Sequence, residues 1–475
     1  MKNYKMDIGL EVHVELATDT KIFCGCSTRF GAPPNTQICP VCMGLPGALP
    51  VLNRKSVSLA MAVGLATNCN INRVNKFDRK NYYYPDNPQN YQITQLYRPI
   101  CTDGHVEIEA KGVVKKIGIH EIHMEEDAGK LIHDDERNVS SVDYNRAGVP
   151  LIEIVTEPQM NNADEVIAFL EKLRLIIQYL KASDCKLNEG SMRVDVNLSV
   201  RKADSKKLGT RTEMKNLNSF KAISRAIENE SIRQIELIEK GFEIQMETRR
   251  WDDNKGTSYV MRSKEEAKDY RYFPEPDLMP VYISEQWLKE VRERQPELRD
   301  EKRKRYVDEY NIPQYDADII TLSTKMADIF ERTIKICNKP KNVSNWLITE
   351  TMRLLKENEM EPDEISFSPE NLAMLVDISN AGLINSTVAK EVFEKIFTED
   401  VNPEKYIQEN GLRQDNNEDA IREIVVSVIA KNPQSVNDYK NGKDKAIGFL
   451  VGQVMKESRG KANPGIVNKL LKELL

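Results

Sequence analysis

Glu11, His13 and Glu15 occupy every second position of residues 7–16, and Ile8, Leu10, Val12, Val14 and Leu16 fill the alternate ones. In an extended strand successive side chains point to opposite faces, so the three polar groups share one face. Neighbours on that face lie about 6.5–7 Å apart at Cα. Glu11 and His13 can therefore converge on one ion. Taken alone, the segment equally describes a half-solvated strand, whose outer face is also polar.

The pattern recurs. Arg193, Asp195, Asn197 and Ser199 alternate with Val194, Val196, Leu198 and Val200, and Arg211, Glu213 and Lys215 share a face within residues 210–215. Residues 151–155 are apolar except for Glu153. A carboxylate inside such a strand requires a partner, because an unpaired buried charge is costly. Residues 117–127 are less regular: Ile117 and Ile119 share one parity, Ile122 and Met124 the other. A bulge or strand end near His120 explains the shift and re-aims Glu125, Glu126 and Asp127. Glu126 joins the charged face only if the strand ends or bulges there. Together these segments predict one sheet face carrying several carboxylates and one or two histidines. Oxygen-rich sites suit Mg²⁺ or Mn²⁺ better than Zn²⁺, and Mg²⁺ commonly works with substrate phosphates. The chain has no G-x-x-x-x-G-K-[ST] or G-x-G-x-x-G run, so any ATP is held by something other than a P-loop.

Four of the eight cysteines, Cys24, Cys26, Cys39 and Cys42, form C-x-C and C-x₂-C pairs separated by a short loop. This spacing predicts a closed Cys₄ zinc site, structural because it leaves no open position; the alternative is four reduced thiols in a loop.

The elements that must position these groups follow from the rest of the chain. At 475 residues two or three domains are expected. Strand-like segments dominate up to residue 290 or so, and Pro274, Pro276 and Pro280 close that part. A charged helix then opens at Gln295-Pro296. Amphipathic helical segments follow at 319–336 and, on either side of Ala381-Gly382, at 371–397. The predicted class is α+β: a mainly antiparallel β-sheet cradle (1–294), an all-α domain (295–402) and a small α-helical tail (403–475). The formal net charge of −6 gives no general support for RNA binding, so any RNA contact must be local. Residues 1–16 lack an apolar h-region and no apolar run is long enough to span a bilayer. A cytoplasmic protein without a membrane partner is expected, or an organelle-matrix one if a transit peptide is missing.

A family resemblance enters at Ile8-Gly-Leu-Glu-Val-His-Val-Glu-Leu16 and continues through Asp78-Arg-Lys-Asn-Tyr-Tyr-Tyr-Pro-Asp-Asn-Pro88 and His123-Met-Glu-Glu-Asp-Ala-Gly-Lys130. Pro150-Leu-Ile-Glu-Ile-Val155, Lys215-Asn-Leu-Asn-Ser-Phe220 and Asp269-Tyr-Arg-Tyr-Phe-Pro-Glu-Pro-Asp277 extend it in order. These blocks resemble the GatB/GatE family of tRNA-dependent amidotransferase subunits, and residues 440–446 and 448–453 resemble its YqeY-like tail. The short passage from Pro280 to Pro296 has no room for the synthetase-like insertion of GatE, which favours the GatB branch.

The resemblance implies that ATP phosphorylates the side-chain carboxylate of Glu-tRNA(Gln) or Asp-tRNA(Asn), and that ammonia displaces the phosphate. It implies an amidase partner, GatA, as the ammonia source, with GatC bracing the pair. The sequence contains no G-x-C-x-G glutaminase nucleophile. By resemblance the catalytic and Mg²⁺-binding residues are Glu11, His13, Glu126 and Glu153. Glu125, Asp195 and Glu213 are candidates for a second or ATP-linked ion, with Lys215 beside them. Asp78, Arg79, Lys80 and Tyr82 are expected to line the pocket for phosphate and the tRNA 3′ end, although the tyrosines also suit plain packing. Two other readings use the same residues: a self-standing ATP-dependent ligase for a small carboxylate, and a zinc-stabilised RNA-binding module without catalysis.

The tail carries eight Lys/Arg against four Asp/Glu in residues 438–475, opposite in sign to the whole chain. Arg459-Gly460-Lys461 reads as an exposed basic loop, and Gly448 and Gly452 as a close-packed helix face. Contact with the body of the tRNA is expected, an ordinary solvated module being the alternative. Deleting residues after about 405 is expected to weaken tRNA binding while the sheet domain stays folded; unchanged affinity in a filter-binding titration refutes this.

Overall fold

The computed structural model describes residues 3–134, 136–263, 269–414, 417–443, 445–458 and 462–475. The chain forms two compact units, Met1–Leu298 and Arg299–Leu475.

The first unit is built on strands β1 (Tyr4–Glu15), β2 (Asn70–Ile71), β3 (Val74–Asn75), β4 (Asp78–Asn81), β5 (Tyr91–Thr94), β6 (Cys101–Ala110), β7 (Val113–Glu126) and β8 (Lys130–Asp134). They are followed by β9 (Val139–Asp143), β10 (Pro150–Thr156), β11 (Met192–Lys202), β12 (Thr212–Lys215), β13 (Glu247–Asp252), β14 (Thr257–Ser263), β15 (Phe273–Pro274) and β16 (Val281–Tyr282). Nine of them make one sheet in the order β14-β13-β12-β11-β1-β10-β7-β6-β2. Every neighbouring pair is antiparallel except β12–β13.

Alternation decides what each sheet face does. Ile8, Leu10, Val12 and Val14 of β1 are buried, as are Val194, Val196 and Leu198 of β11, and Ile152 and Ile154 of β10. They form one core with Phe169, Leu170 and Leu173 of helix α2 (Ala163–Tyr179), which α1 (Arg54–Ala66) precedes. Ile223 and Ile227 of α3 (Phe220–Glu239) join the same core. The side chains of Asn162 and Ser219 cap α2 and α3, satisfying backbone N–H groups that the first turn leaves open. Burial at about 25 cal/mol per Å² of apolar surface makes this layer the main stabilising contribution. It leaves the opposite sheet face free to carry charge.

The irregularity expected near His120 is a bulge. Val155 pairs with Glu121 and Thr156 with Ile119, so His120 has no opposite number in β10. One extra residue reverses the parity of everything after it. Ile117 and Ile119 are buried before the bulge, Ile122 and Met124 after it.

The second unit is helical, with cores centred on Phe330, Leu372 and Phe393 and, separately, on Val425, Leu450 and Leu470. The expected helix over 319–336 is two elements, Gln314–Ile320 and Thr324–Cys337; Ser323 between them caps the second through the Met326 N–H. The break at Ala381-Gly382 is present, with Gly382 at φ +65 between Pro369–Asn380 and Ser386–Glu399. Gly448 and Gly452 share helix Lys445–Glu457, but a Cβ on either meets nothing within 4 Å. Close packing is therefore not their role. The basic loop expected at residues 459–461 lies outside the described residues.

Gly64 of α1 is the opposite case. A Cβ there falls 2.3 Å from Cys101 Sγ and 2.9 Å from Ile71 Cδ1. Gly64→Ala is expected to destabilise the first unit by about 1–3 kcal/mol, as overpacked cores do, seen as a lower thermal midpoint by circular dichroism.

Candidate active site

Four strands bring one charged row together. His13 stands opposite Arg193 on β11 and Glu153 on β10, and Glu153 stands opposite His123 on β7. The Glu153 carboxylate oxygen Oε2 lies 3.3 Å from His13 Nε2 and 3.0 Å from His123 Nε2. Glu125 joins them, its Oε1 3.7 Å from His13 Nε2. Burial by itself lowers both imidazoles. The surrounding carboxylates together outweigh it, Glu153 foremost with Glu125 and, for His123, Glu121, raising His13 and taking His123 up to about 10. Despite its own burial, Glu153 is held well below the usual carboxylate range by the two histidines. The lone Glu of the apolar strand thus has its partner, twice over.

Glu125 and Glu126 part company. The strand runs on through Glu126, so adjacent side chains take opposite faces. The bulge upstream turns Glu125 to the charged face, where Thr94 Oγ1 donates to it at 3.2 Å. Glu126 turns to the other side and accepts from Gln89 Nε2 at 3.0 Å and from the Ile93 N–H at 2.9 Å. There it lines a small cavity with Lys21, Phe23, Cys42 and Tyr91. Burial pushes its carboxyl up to about 8. The structure does not bring Glu126 to Glu11, His13 and Glu153, with which the sequence had grouped it; Glu125 stands there instead.

A second acidic group adjoins the first across β1. Glu11 faces Asp195 on β11, and Glu213 lies one strand further on β12. Lys215 Nζ bonds Asp195 and lies 2.9 Å from Glu213 Oε1. Thr248 Oγ1 donates to Glu213 at 2.6 Å, and Asn197 Nδ2 to Glu11 at 3.0 Å. Burial raises Glu11, and the charges of Glu153 and Glu213 add to this. At the other end of the row Asp127 takes Arg193 at 2.9 Å and Arg146 at 3.7 Å.

The wall expected to hold phosphate divides by role. Asp78 accepts from the backbone N–H groups of Leu96 and Tyr97 at 3.0 and 3.2 Å. Arg79 forks onto buried Glu275 at 2.6 and 2.9 Å, reaches Asp277 at 3.0 Å and stacks 4.2 Å from the Tyr91 ring centre. Arg79 is thus committed to holding residues 273–277 against β4, and Asp78 to holding the turn at Leu96 and Tyr97. Lys80 behaves differently. Burial lowers it, but Glu125, Tyr272, Glu153 and Tyr270 together outweigh the loss and raise it, and its Nζ lies 5.1 Å from the Tyr270 ring centre. Tyr82 packs edge-on to Tyr270 at 6.3 Å.

The donor sets fit ions. His13, Glu125 and Glu153 each offer a ligand atom within 4.8 Å of the others, and so do Glu11, Asp195 and Glu213. One imidazole with carboxylates, or carboxylates alone, suits Mg²⁺ or Mn²⁺. Cys24, Cys26, Cys39 and Cys42 form a third group. The Cys42 sulfur lies 4.0 Å from that of Cys26 and 3.9 Å from that of Cys39. Tetrahedral Zn–S bonds of about 2.3 Å place sulfurs roughly 3.8 Å apart. The Cys39 N–H donates to Cys42 Sγ at 3.2 Å. The hydrogen bond between Cys24 and Cys42 lowers the Cys42 thiol and raises that of Cys24, and burial raises Cys26. The loop is stitched to β9: Asn35 Nδ2 donates to Val142 O at 2.9 Å, and Asn145 Nδ2 to Pro33 O at 2.7 Å.

Sequence reasoning missed His123 and Glu275. His123 sat in a recognised block, two positions from Glu125, and the parity shift at His120 was the signal that could have placed it. Glu275 also sat in a recognised block, Asp269–Asp277, but nothing local pairs it with Arg79, which is distant in sequence.

Known proteins resemble the chain over nearly its whole length. Residues 6–289 match the model of the GatB/GatE catalytic domain, and residues 328–475 that of the GatB domain. The GatB subunit of the aspartyl/glutamyl-tRNA(Asn/Gln) amidotransferase of Agathobacter rectalis is 66% identical over 475 residues, 100% of each chain. Its namesake from Lachnoclostridium phytofermentans is 62% identical, over 100% of this chain and 99% of that one. That from Caldicellulosiruptor bescii is 55% identical over 99% of each.

Removing one sulfur tests the cysteine group. Cys24→Ser is expected to lower the zinc content of the purified protein from about one ion per chain, set by a four-cysteine site, to a small fraction of that, measured by atomic emission. Equal zinc in both proteins refutes the assignment.

Proposed function

This chain belongs to the GatB/GatE family, and on that premise we propose that its charged sheet face activates the side-chain carboxylate of a misacylated tRNA for amidation. The observation that carries the reading is the pair of acidic groups on one sheet face, with His13 and Glu153 in the first. The substrates are ATP with Glu-tRNA(Gln), Asp-tRNA(Asn) or both. A free carboxylate is a poor electrophile. Its oxygen attacks the γ-phosphorus, the bond to ADP breaks, and an acyl phosphate results. Ammonia then adds to the acyl carbon and phosphate leaves, giving the amide. The nitrogen comes from glutamine hydrolysis in a partner amidase, GatA, with GatC completing the assembly, in the cytoplasm. No helix among the described residues is long and apolar enough to cross a membrane.

His13, Glu125 and Glu153 would hold one Mg²⁺ or Mn²⁺, and Glu11, Asp195 and Glu213 a second. When bound, such ions supply positive charge that aligns phosphate oxygens and offsets charge developing during transfer. Lys80 adds a fixed cation on the same side, suited to phosphate oxygen. Lys215 keeps Asp195 and Glu213 from repelling one another. Tyr82 and Tyr270 offer ring faces on which the 3′ end of the tRNA can stack. The cysteine group would hold a structural Zn²⁺ that pins its loop, and the tail unit would contact the tRNA body.

The test uses the assembled enzyme with Glu-tRNA(Gln), ATP and ammonium chloride, so that no step depends on glutamine hydrolysis. Glu153→Gln and Glu125→Gln are each expected to slow amidation by at least about 100-fold, the scale of losing one preorganised charge contact. Unaltered rates in both variants overturn the reading. ATP turnover without any aminoacyl-tRNA points instead to a self-standing ligase.

A further inference from the structure

Two histidines flank one carboxylate oxygen, and they cannot do the same work. His13 Nε2 and His123 Nε2 both approach Glu153 Oε2, at 3.3 and 3.0 Å. An imidazole nitrogen that ligates an ion has no proton to donate. Once His13 serves as a ligand, its hydrogen bond to Glu153 is lost, and His123 is the imidazole left to hold that carboxylate.

The surroundings of His123 suit that task. Its side chain is 11% exposed, against 19% for His13. Its other nitrogen, Nδ1, faces Glu121 Oε1 at 3.5 Å. That approach is not a hydrogen bond, so the firm contact of His123 is its Nε2 to Glu153 across the neighbouring strand. The bulge at His120 is what makes it: uninterrupted alternation from Ile117 and Ile119 would send His123 into the core with them. His13, by contrast, stands on β1 between the two acidic groups, flanked in sequence by Glu11 and Glu15.

We propose that His123 is a positioning residue, donating from Nε2 to Glu153 Oε2 and fixing that carboxylate for a divalent cation while His13 acts as ligand. Carboxylates that bind metals are commonly held by such outer partners, whose loss weakens binding without removing a ligand. This rests on the ion reading proposed above.

The experiment is Mn²⁺ binding to the purified full-length chain, followed by electron paramagnetic resonance, with circular dichroism confirming the fold. His123→Leu removes the donor and is expected to weaken Mn²⁺ binding about 10–100-fold, whereas His123→Gln, which keeps an N–H, stays within about threefold of the unaltered chain. His13→Gln is expected to lose binding as fully as Glu153→Gln does. If His123→Leu does not fold, His123→Ala takes its place. In the assembled enzyme the Mg²⁺ concentration for half-maximal amidation should rise in step with the Mn²⁺ constant, with kcat at saturating Mg²⁺ little changed. Unchanged Mn²⁺ binding in His123→Leu, or equal losses in His123→Gln and His123→Leu, overturns the positioning role. Unchanged binding in Glu153→Gln instead overturns the ion reading beneath it, so the two failures are told apart.

Discussion

The structure depends on the cost of gathering carboxylates on one half-buried sheet face. Glu11, Asp195 and Glu213 stand within ligand distance of one another, and Glu125 and Glu153 share the adjoining group. Like charges that close cannot all ionise without compensation, and partial burial makes the repulsion worse. Each group therefore has its cation. Lys215 sits between Asp195 and Glu213, His13 and His123 flank Glu153, and Arg193 closes the row on Asp127. These cations lie against the same carboxylates that could hold an ion, so an arriving ion must displace or share them.

That balance requires a rigid support. The reverse sides of the same strands supply it through a mainly apolar layer against α2 and α3, in which buried Gln234 of α3 is hydrogen-bonded to Leu198, Val200 and Thr212. A side chain on a packed strand has little freedom to wander, so distances across the site are set by strand spacing rather than by loop conformation. The loops do other work. Arg79 and Glu275 lock residues 273–277 against β4. The cysteine loop is tied through Asn35 and Asn145 to the segment that also carries Arg146, and Arg146 reaches Asp127. The position of the cysteine loop and the charge balance at the end of the row are thus linked through one segment.

Much of this was written in local patterns. The alternation of residues 7–16 and 192–202 determined two strands, their apolar faces and the side on which Glu11, His13 and Asp195 stand, because a period of two admits no other arrangement once one face is buried. The spacing of four cysteines determined that they could meet. The parity break at His120 announced a bulge. The change from strand-like to helical composition near residue 295 lies close to the division between the two units at Leu298.

Only the tertiary structure decided which neighbours meet across strands. That Glu125 and not Glu126 faces His13 follows from how far β7 continues past its bulge. That His123 shares Glu153 with His13 follows from β10 lying between β1 and β7, a matter of strand order that no local window contains. That Arg79 is held by Glu275 rather than free for phosphate depends on a contact between distant segments. The sequence by itself determined the face of each side chain, because local backbone geometry sets it. Partners were decided by the fold, because hydrogen-bonded register joins residues that the chain keeps far apart.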